Sequence, residues 1–387
     1  MFREELDILK KNDRYRTLEF LESAQEPQVK IGGKEYILFC SNNYLGLAND
    51  SRIHEKALTG CKKYGFSSGA SRLLSGSTSI HKELEEKLAD FSGTESTILF
   101  GTGYQANCGV IPLLAGPEDL ILSDELNHAS IIDGCRLSRA KKIIFKHRSL
   151  EDLSKNLEKH SKEFRKKIIL TEGVFSMEGT LAPLDQYWQI AQKYQAFLYI
   201  DDAHGIGVLG YEGRGSLNHF HLPSDHPRII QLGTLGKALG SFGAFIGSSK
   251  EFKELIINKC RTFIFSTALP PIICFGVLEA LRIIKNEPLH FKRLQENCFQ
   301  FSKGLASIGL EISEMADQIP IQPVKVGDEK RSLSLAKKLW EEGIFARAIR
   351  PPTVSSDQCR IRFSLMATHK KEQIDYTLSV LKKSLDY

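Results

Sequence analysis

From about residue 50 to residue 250 the chain alternates between stretches with apolar residues three and four apart and short, almost wholly apolar runs. The first pattern belongs to helices with one buried face, the second to strands covered on both faces. The runs predict seven strands: Ser96–Phe100, Leu120–Ser123, Lys142–Phe145, Ile168–Thr171, Phe197–Asp201, Ile229–Gly233 and Ala244–Gly247. Strands alternating with helices predict an α/β fold built on a mostly parallel sheet with helices on both faces. After Leu269-Pro270-Pro271 the rhythm changes. A long helical region over about 272–308 leads to strand-like Ile321–Val326, an amphipathic helix over Ser332–Glu342, strands at Phe345–Ile349 and Arg360–Leu365, and a last helix over Lys370–Leu385. At the other end, residues 2–24 read as an amphipathic helix, followed by a hairpin-like stretch through Ile31-Gly32-Gly33-Lys34 and a turn-rich loop, SNNYLGLA. The expected organisation is an N-terminal helical segment (1–48), a large α/β domain (49–285) and a small C-terminal α+β domain (286–387).

A length of 387 residues agrees with more than one core. The net charge of +5 comes from scattered basic residues with short clusters such as Lys141-Lys142 and Arg165-Lys166-Lys167, too diffuse for a nucleic-acid surface. The eight cysteines include no C-x-x-C pair and several sit in apolar runs, as expected of reduced thiols in the cytoplasm. The opening MFREELDILKKNDRYR has no apolar core of a signal peptide, and no apolar run reaches membrane-spanning length, so a soluble cytoplasmic protein without a membrane partner is expected. His219, His221 and His226 share a stretch with Pro and Asp that reads as a surface loop, and no metal is expected.

In open α/β sheets, ligands bind beyond the carboxyl ends of the strands. Several predicted strands end in unusual sequences. LFGTGYQANCGV sends a strand through Gly101-Thr102-Gly103-Tyr104 into a helix, a turn whose N–H groups can face a phosphate. SDELNHASIID offers His128, a flat ring able to stack on an aromatic ligand. LTEGVFSMEG places Glu172 and Ser176 after a strand, and FLYIDDAHG places Asp201 at the end of another with His204 three residues on. A carboxylate emerging from a buried strand needs a cationic partner. RIIQLGTLGKALG ends a further strand in a Gly-rich turn with Thr234 and Lys237, and no acidic residue lies within ten positions of that lysine. Such surroundings favour a neutral, nucleophilic amine. A phosphate cradle, a stacking ring, a carboxylate suited to a pyridinium and a nucleophilic lysine together describe pyridoxal 5′-phosphate.

These stretches resemble the α-oxoamine synthases, a group of fold-type I (aspartate aminotransferase-like) pyridoxal-phosphate enzymes. SNNYLGL, SGASRLLSGSTSIHKELE, DDAHGIGVLGYEGRGS, GTLGKALGSFG and FSTALPP carry the resemblance in this order over nearly the whole chain. It implies that Lys237 binds the cofactor covalently, that Asp201 holds the ring nitrogen, and that His204 and Ser176 contact the ring or its hydroxyl. It further implies that His128 stacks on the ring and that Gly103, Tyr104 and Thr234 hold the phosphate. Thr267 in FSTALPP would reach the phosphate from a partner subunit, since the family builds its sites at a homodimer interface. Arg16, Asn43 and Thr353 match substrate-binding positions, and Arg362 matches the arginine that clamps an amino-acid carboxylate. DDAHGIGVLG and RPPTV are most similar to members that join L-alanine to a pimeloyl thioester carried by coenzyme A or acyl carrier protein. Members using glycine and acetyl-CoA, and aminotransferases, are the alternatives. Ser67–Ser71 replaces a more glycine-rich run, Tyr104 stands where phenylalanine is common, and Met366 where threonine often follows the C-terminal arginine.

Overall fold

The structure, a computed structural model, describes residues 2–385. Its strands in chain order are β1 (Gln28–Ile31), β2 (Lys34–Leu38), β3 (Ser96–Phe100), β4 (Leu120–Asp124), β5 (Lys141–Phe145), β6 (Lys167–Glu172), β7 (Phe197–Asp201), β8 (Ile229–Thr234), β9 (Ala244–Ser248), β10 (Ile321–Gly327), β11 (Ile344–Phe345), β12 (Arg347–Ile349) and β13 (Cys359–Ser364). Two compact units result. One holds Asp50–Phe175 and Leu181–Pro288, and the other holds the residues up to Asn49, Ser176–Thr180 and the residues from Leu289 onward.

The larger unit is built on a seven-stranded sheet of order β3-β9-β8-β7-β6-β4-β5. Strand β9 runs antiparallel to both neighbours, and the remaining pairs are parallel. All seven predicted strands are present, each displaced by at most one residue at either end. They were legible because side chains alternate across a sheet buried on both faces. Ile168, Leu170, Tyr199, Ile230 and Leu232 pack into the core on one face. Leu120, Leu122, Ile169, Leu198 and Ile200 pack into the core on the other. Because β3 and β8 both run antiparallel to β9, their carboxyl ends share one edge. Phe100 and Thr234 both pair with Ala244.

In the smaller unit, β1, β2 and β11 form one sheet and β10, β13 and β12 another. Parallel pairing of β2 with β11 joins the N-terminal segment to the C-terminal part, so it is not a separate body. Three local expectations change. The expected strand Phe345–Ile349 divides at Ala346, since Ile344–Phe345 pairs with β2 whereas Arg347–Ile349 pairs with β13. The long helical region is two helices, Pro271–Asn286 and Leu289–Ser307, interrupted at Pro288. The N-terminal helix ends at Lys11 rather than near residue 24. Asp13 adopts a left-handed conformation (φ 54°), and the N–H groups of Asp13 and Arg14 donate to the carbonyls of Lys10 and Leu9, closing the helix with a Schellman pair. Arg16 therefore lies beyond the helix. No helix among the described residues is long and apolar enough to cross a membrane.

Candidate active site

In the larger unit the site is assembled where β3, β4, β7 and β8 end. Asp201, the last residue of β7, pairs in register with Glu172 on β6 and with Leu232 on β8. Its carboxylate is buried (5% exposed) and accepts from the Asn107 amide at 2.8 Å and from the Ala203 N–H at 3.1 Å. Both donors are neutral, and no ion pair to Asp201 forms among the described residues. A buried carboxylate in this state is stabilised by an adjacent cation, and a protonated pyridine nitrogen has the right charge and a proton to donate.

Asn107 ties that carboxylate to the rest of the site. Its other amide hydrogen goes to the Ser130 hydroxyl at 2.8 Å, and its carbonyl accepts from Tyr199 at 2.7 Å. Ser130 in turn lies 2.7 Å from Nδ1 of His128, which also accepts from the Ser130 N–H. A backbone N–H only donates, so Nδ1 is the acceptor and the His128 proton sits on Nε2. The contact depends on close approach of the helices Gly103–Leu114 and Ala129–Leu137. A Cβ on Gly134 would stand 2.6 Å from the carbonyl oxygen of Asn107. His128 itself remains exposed, yet the protein around it strips enough water to hold the imidazole below its ordinary value, against the pull of Asp201 and with a smaller push from Lys237. A neutral ring with an open face suits stacking.

Lys237 stands in the turn between β8 and β9, half-buried, with Nζ 3.1 Å from Nε2 of His204. The turn is held by Leu235, whose N–H donates to Gly243 and whose carbonyl accepts from Ser241. The Thr234 hydroxyl donates to the Ala203 carbonyl at 3.1 Å. Gly103 lies against Thr234, and a Cβ on Gly103 would be 3.1 Å from the threonine methyl. Gly103 and Tyr104 are the first two residues of their helix, capped by Thr102, so their N–H groups have no intrahelical acceptor. This corner can hold a phosphate. The Tyr104 hydroxyl bonds Asp133, leaving its backbone for that role. Asp202, next to Asp201, turns the other way. It accepts from the Ser216 N–H and the Gln231 amide, and burial pushes its carboxyl up to about 7. Thr267 is exposed and bridges to Ser71.

The smaller unit holds a buried arginine of its own. Arg362 on β13 is buried, and its donors reach the Ser176 carbonyl (2.6 Å), Ser364 Oγ (2.8 Å), Asn42 Oδ1 (3.1 Å) and the Tyr44 hydroxyl (3.4 Å). All four acceptors are neutral, so this guanidinium has no counter-anion among the described residues. A substrate carboxylate fits it. Ser176 belongs to this unit and supports the arginine through its backbone. The Asn43 amide is spent on Gln25 and Ala48, which fixes the SNNYLGLA loop, and the neighbouring Asn42 is the residue that meets Arg362. Arg16 donates to the Pro351 carbonyl at 2.8 Å, while Arg350 donates to Tyr15, so Arg16 and the RPPTV segment with Thr353 are strapped together.

Sequence reasoning missed Asn107, Ser130, Tyr199 and Asn42. The available signal for Asn107 was an asparagine inside an otherwise apolar helical stretch, QANCGVIPLL. Replacing it by aspartate (Asn107→Asp) sets a second carboxylate against Asp201. Affinity for pyridoxal phosphate is expected to fall by about tenfold or more, read by equilibrium dialysis, with far-ultraviolet circular dichroism unchanged.

Residues 34–381 match the model of the aminotransferase class I and II family. The chain is 44% identical over 382 residues to an 8-amino-7-oxononanoate synthase of Thermoanaerobacter pseudethanolicus, covering 98% of this chain and 95% of that protein. It is also 44% identical to an 8-amino-7-oxononanoate synthase of Thermosipho melanesiensis, covering 99% and 97%. Among solved structures, a serine palmitoyltransferase of S. paucimobilis with a bound PLP–myriocin aldimine superposes with a TM-score of 0.92 at 30% identity, covering 99% and 96% of the two chains. An 8-amino-7-oxononanoate synthase of Francisella tularensis superposes with a TM-score of 0.77 at 32% identity, covering 91% and 98%. Matched to the family model from β2 to the last helix, and to its relatives almost end to end, the chain belongs to the aminotransferase class I and II family, on its α-oxoamine synthase branch.

Proposed function

We propose that this protein condenses L-alanine with a pimeloyl thioester, releasing carbon dioxide and a free thiol and forming 8-amino-7-oxononanoate, the carbon–carbon bond-forming step of biotin synthesis. The observation that carries this reading is the bonded chain from Asp201 through Asn107 and Ser130 to His128, with the Lys237–His204 pair in the same unit, in a chain similar throughout to synthases of that product. Pyridoxal phosphate is the cofactor, and when bound it supplies an electron sink through its protonated ring nitrogen. Asp201 holds that nitrogen protonated. Gly103, Tyr104 and Thr234 hold the phosphate, and His128 covers the ring. Nζ of Lys237 takes the proton from Cα of alanine, with His204 orienting it. Arg362 receives the alanine carboxylate.

The test is thiol release and product analysis with each pairing of L-alanine or glycine with pimeloyl-CoA, pimeloyl acyl carrier protein or acetyl-CoA. Release confined to L-alanine with a pimeloyl donor supports the reading. Release with glycine and acetyl-CoA would move the protein to the acetyl-transferring branch. Arg362→Lys keeps the charge but loses the planar fork. The KM for L-alanine should rise by about tenfold or more, with pyridoxal-phosphate uptake unchanged, and an unaltered KM would remove Arg362 from that role.

The working protein in this reading is a cytoplasmic homodimer. Phe66, Leu73, Leu74 and Phe265 are each more than half exposed, which suits cover by a second copy. Sedimentation of the holoenzyme at twice the chain mass of 43.5 kDa is the expected result.

A further inference from the structure

Leu269 joins three parts of the larger unit. Its side chain fills the space that a Cβ on Gly243 would need, 3.1 Å from Cδ1, in the loop that follows Lys237. It lies two residues after Thr267. Its carbonyl is gripped twice, by the Ser68 hydroxyl at 2.7 Å and by Nε2 of His81 at 2.7 Å. The neighbouring Ala268 N–H donates to the Ala70 carbonyl, so the segments around Ser68 and Thr267 are laced together.

His81 is wholly buried at the third position of the helix Ser79–Ser92. Its two nitrogens do different jobs. Nδ1 accepts from the Thr78 N–H at 3.2 Å, closing a capping box. That acceptor role puts the proton on Nε2, which therefore donates to Leu269. Burial holds the imidazole below its ordinary value, so the neutral form carries both contacts at neutral pH.

We propose that Ser68 and His81 are positioning residues, whose paired hydrogen bonds to the Leu269 carbonyl set the place of Thr267 and thereby the hold on the cofactor's phosphate. This rests on the proposed function and homodimer, together with the role that the family resemblance implies for Thr267, reaching that phosphate from the partner subunit.

Side-chain geometry offers a separating test. In His81→Gln the amide nitrogen falls close to Nε2, so the bond to Leu269 is kept and the cap is lost. In His81→Asn the amide oxygen falls close to Nδ1, so the cap is kept and the bond to Leu269 is lost. Full-length protein is dialysed against graded pyridoxal phosphate and, in parallel, against pyridoxal, which lacks the phosphate. His81→Asn is expected to weaken pyridoxal-phosphate binding about tenfold, as loss of one buried hydrogen bond implies, and to leave pyridoxal binding within about twofold. His81→Gln should restore the affinity. Ser68→Ala, in a partly exposed loop that does not endanger folding, should weaken phosphate-dependent binding in the same direction. Thr267→Ala reports on the underlying reading, and if it leaves pyridoxal-phosphate binding unchanged, the phosphate role of Thr267 fails. If Thr267→Ala weakens binding but His81→Asn and Ser68→Ala do not, the positioning role alone is overturned. Equal losses in His81→Gln and His81→Asn would also overturn it, because the bond to Leu269, kept in His81→Gln, would then not preserve binding.

Discussion

A Lys237→Ala protein is expected to lose turnover by more than about 10⁴-fold while still taking up pyridoxal phosphate. In the proposed function the change removes two roles at once, the amine that bonds the cofactor and the base at Nζ that takes the Cα proton, and general-base assistance alone contributes about 10²–10⁴. The phosphate corner at Gly103 and Thr234 and the carboxylate of Asp201 belong to other elements and stay in place. His204 loses a partner at 3.1 Å but remains anchored in the turn after β7, where the Gly205 and Ile206 N–H groups donate to the Asp202 carbonyl. Bound cofactor is read by absorbance after gel filtration, and product by mass spectrometry. Product formed at near-normal rate would take Lys237 out of the chemistry.

Asp201→Asn is expected to lower turnover by about a hundredfold or more, and the surroundings make this a harsher change than loss of charge alone. Both carboxylate oxygens accept, one from Asn107 and the other from the Ala203 N–H. An amide in either orientation therefore turns its NH₂ toward another N–H. That conflict costs about 1–3 kcal/mol, so melting temperature should fall together with rate. The control is Asp201→Glu, which keeps the charge, and it should recover more of the rate than asparagine does. Near-normal turnover of the Asp201→Asn protein with bound cofactor would contradict the assignment.

What was legible in the chain, and what was not, follows from how each feature is encoded. The seven sheet strands show as apolar runs because both faces are buried, and Asp201 stands out as a carboxylate at the end of such a run. Lys237 stands out through the absence of nearby acids. Asn107 lies 94 positions from Asp201, and a buried polar residue in a helix leaves no periodic trace that names its partner. The exchange of roles between Asn42 and Asn43 depends on which way the SNNYLGLA loop turns, and adjacent asparagines look alike until it is folded. The break of the expected strand at Ala346 is set by partners, since Ile344–Phe345 finds β2 and Arg347–Ile349 finds β13. The assignment of Ser176–Thr180 to the smaller unit, in the middle of sequence that builds the larger one, has no compositional mark.

Strand β9 separates β3 from β8 in space, although β3 is made almost 150 residues earlier. During synthesis, β4 to β8 can add to one another in a growing parallel sheet, whereas β3 has no edge to join until Ala244–Ser248 has emerged. Bringing such distant segments together is slow compared with local pairing. The N–H groups of Gly103 and Tyr104 thus meet Thr234 only when the sheet is closed, and a nascent chain that ends before β9 carries Asp201 and Lys237 without a finished place for a phosphate. The place for the phosphate is in this way completed only once Ala244–Ser248 has joined the sheet.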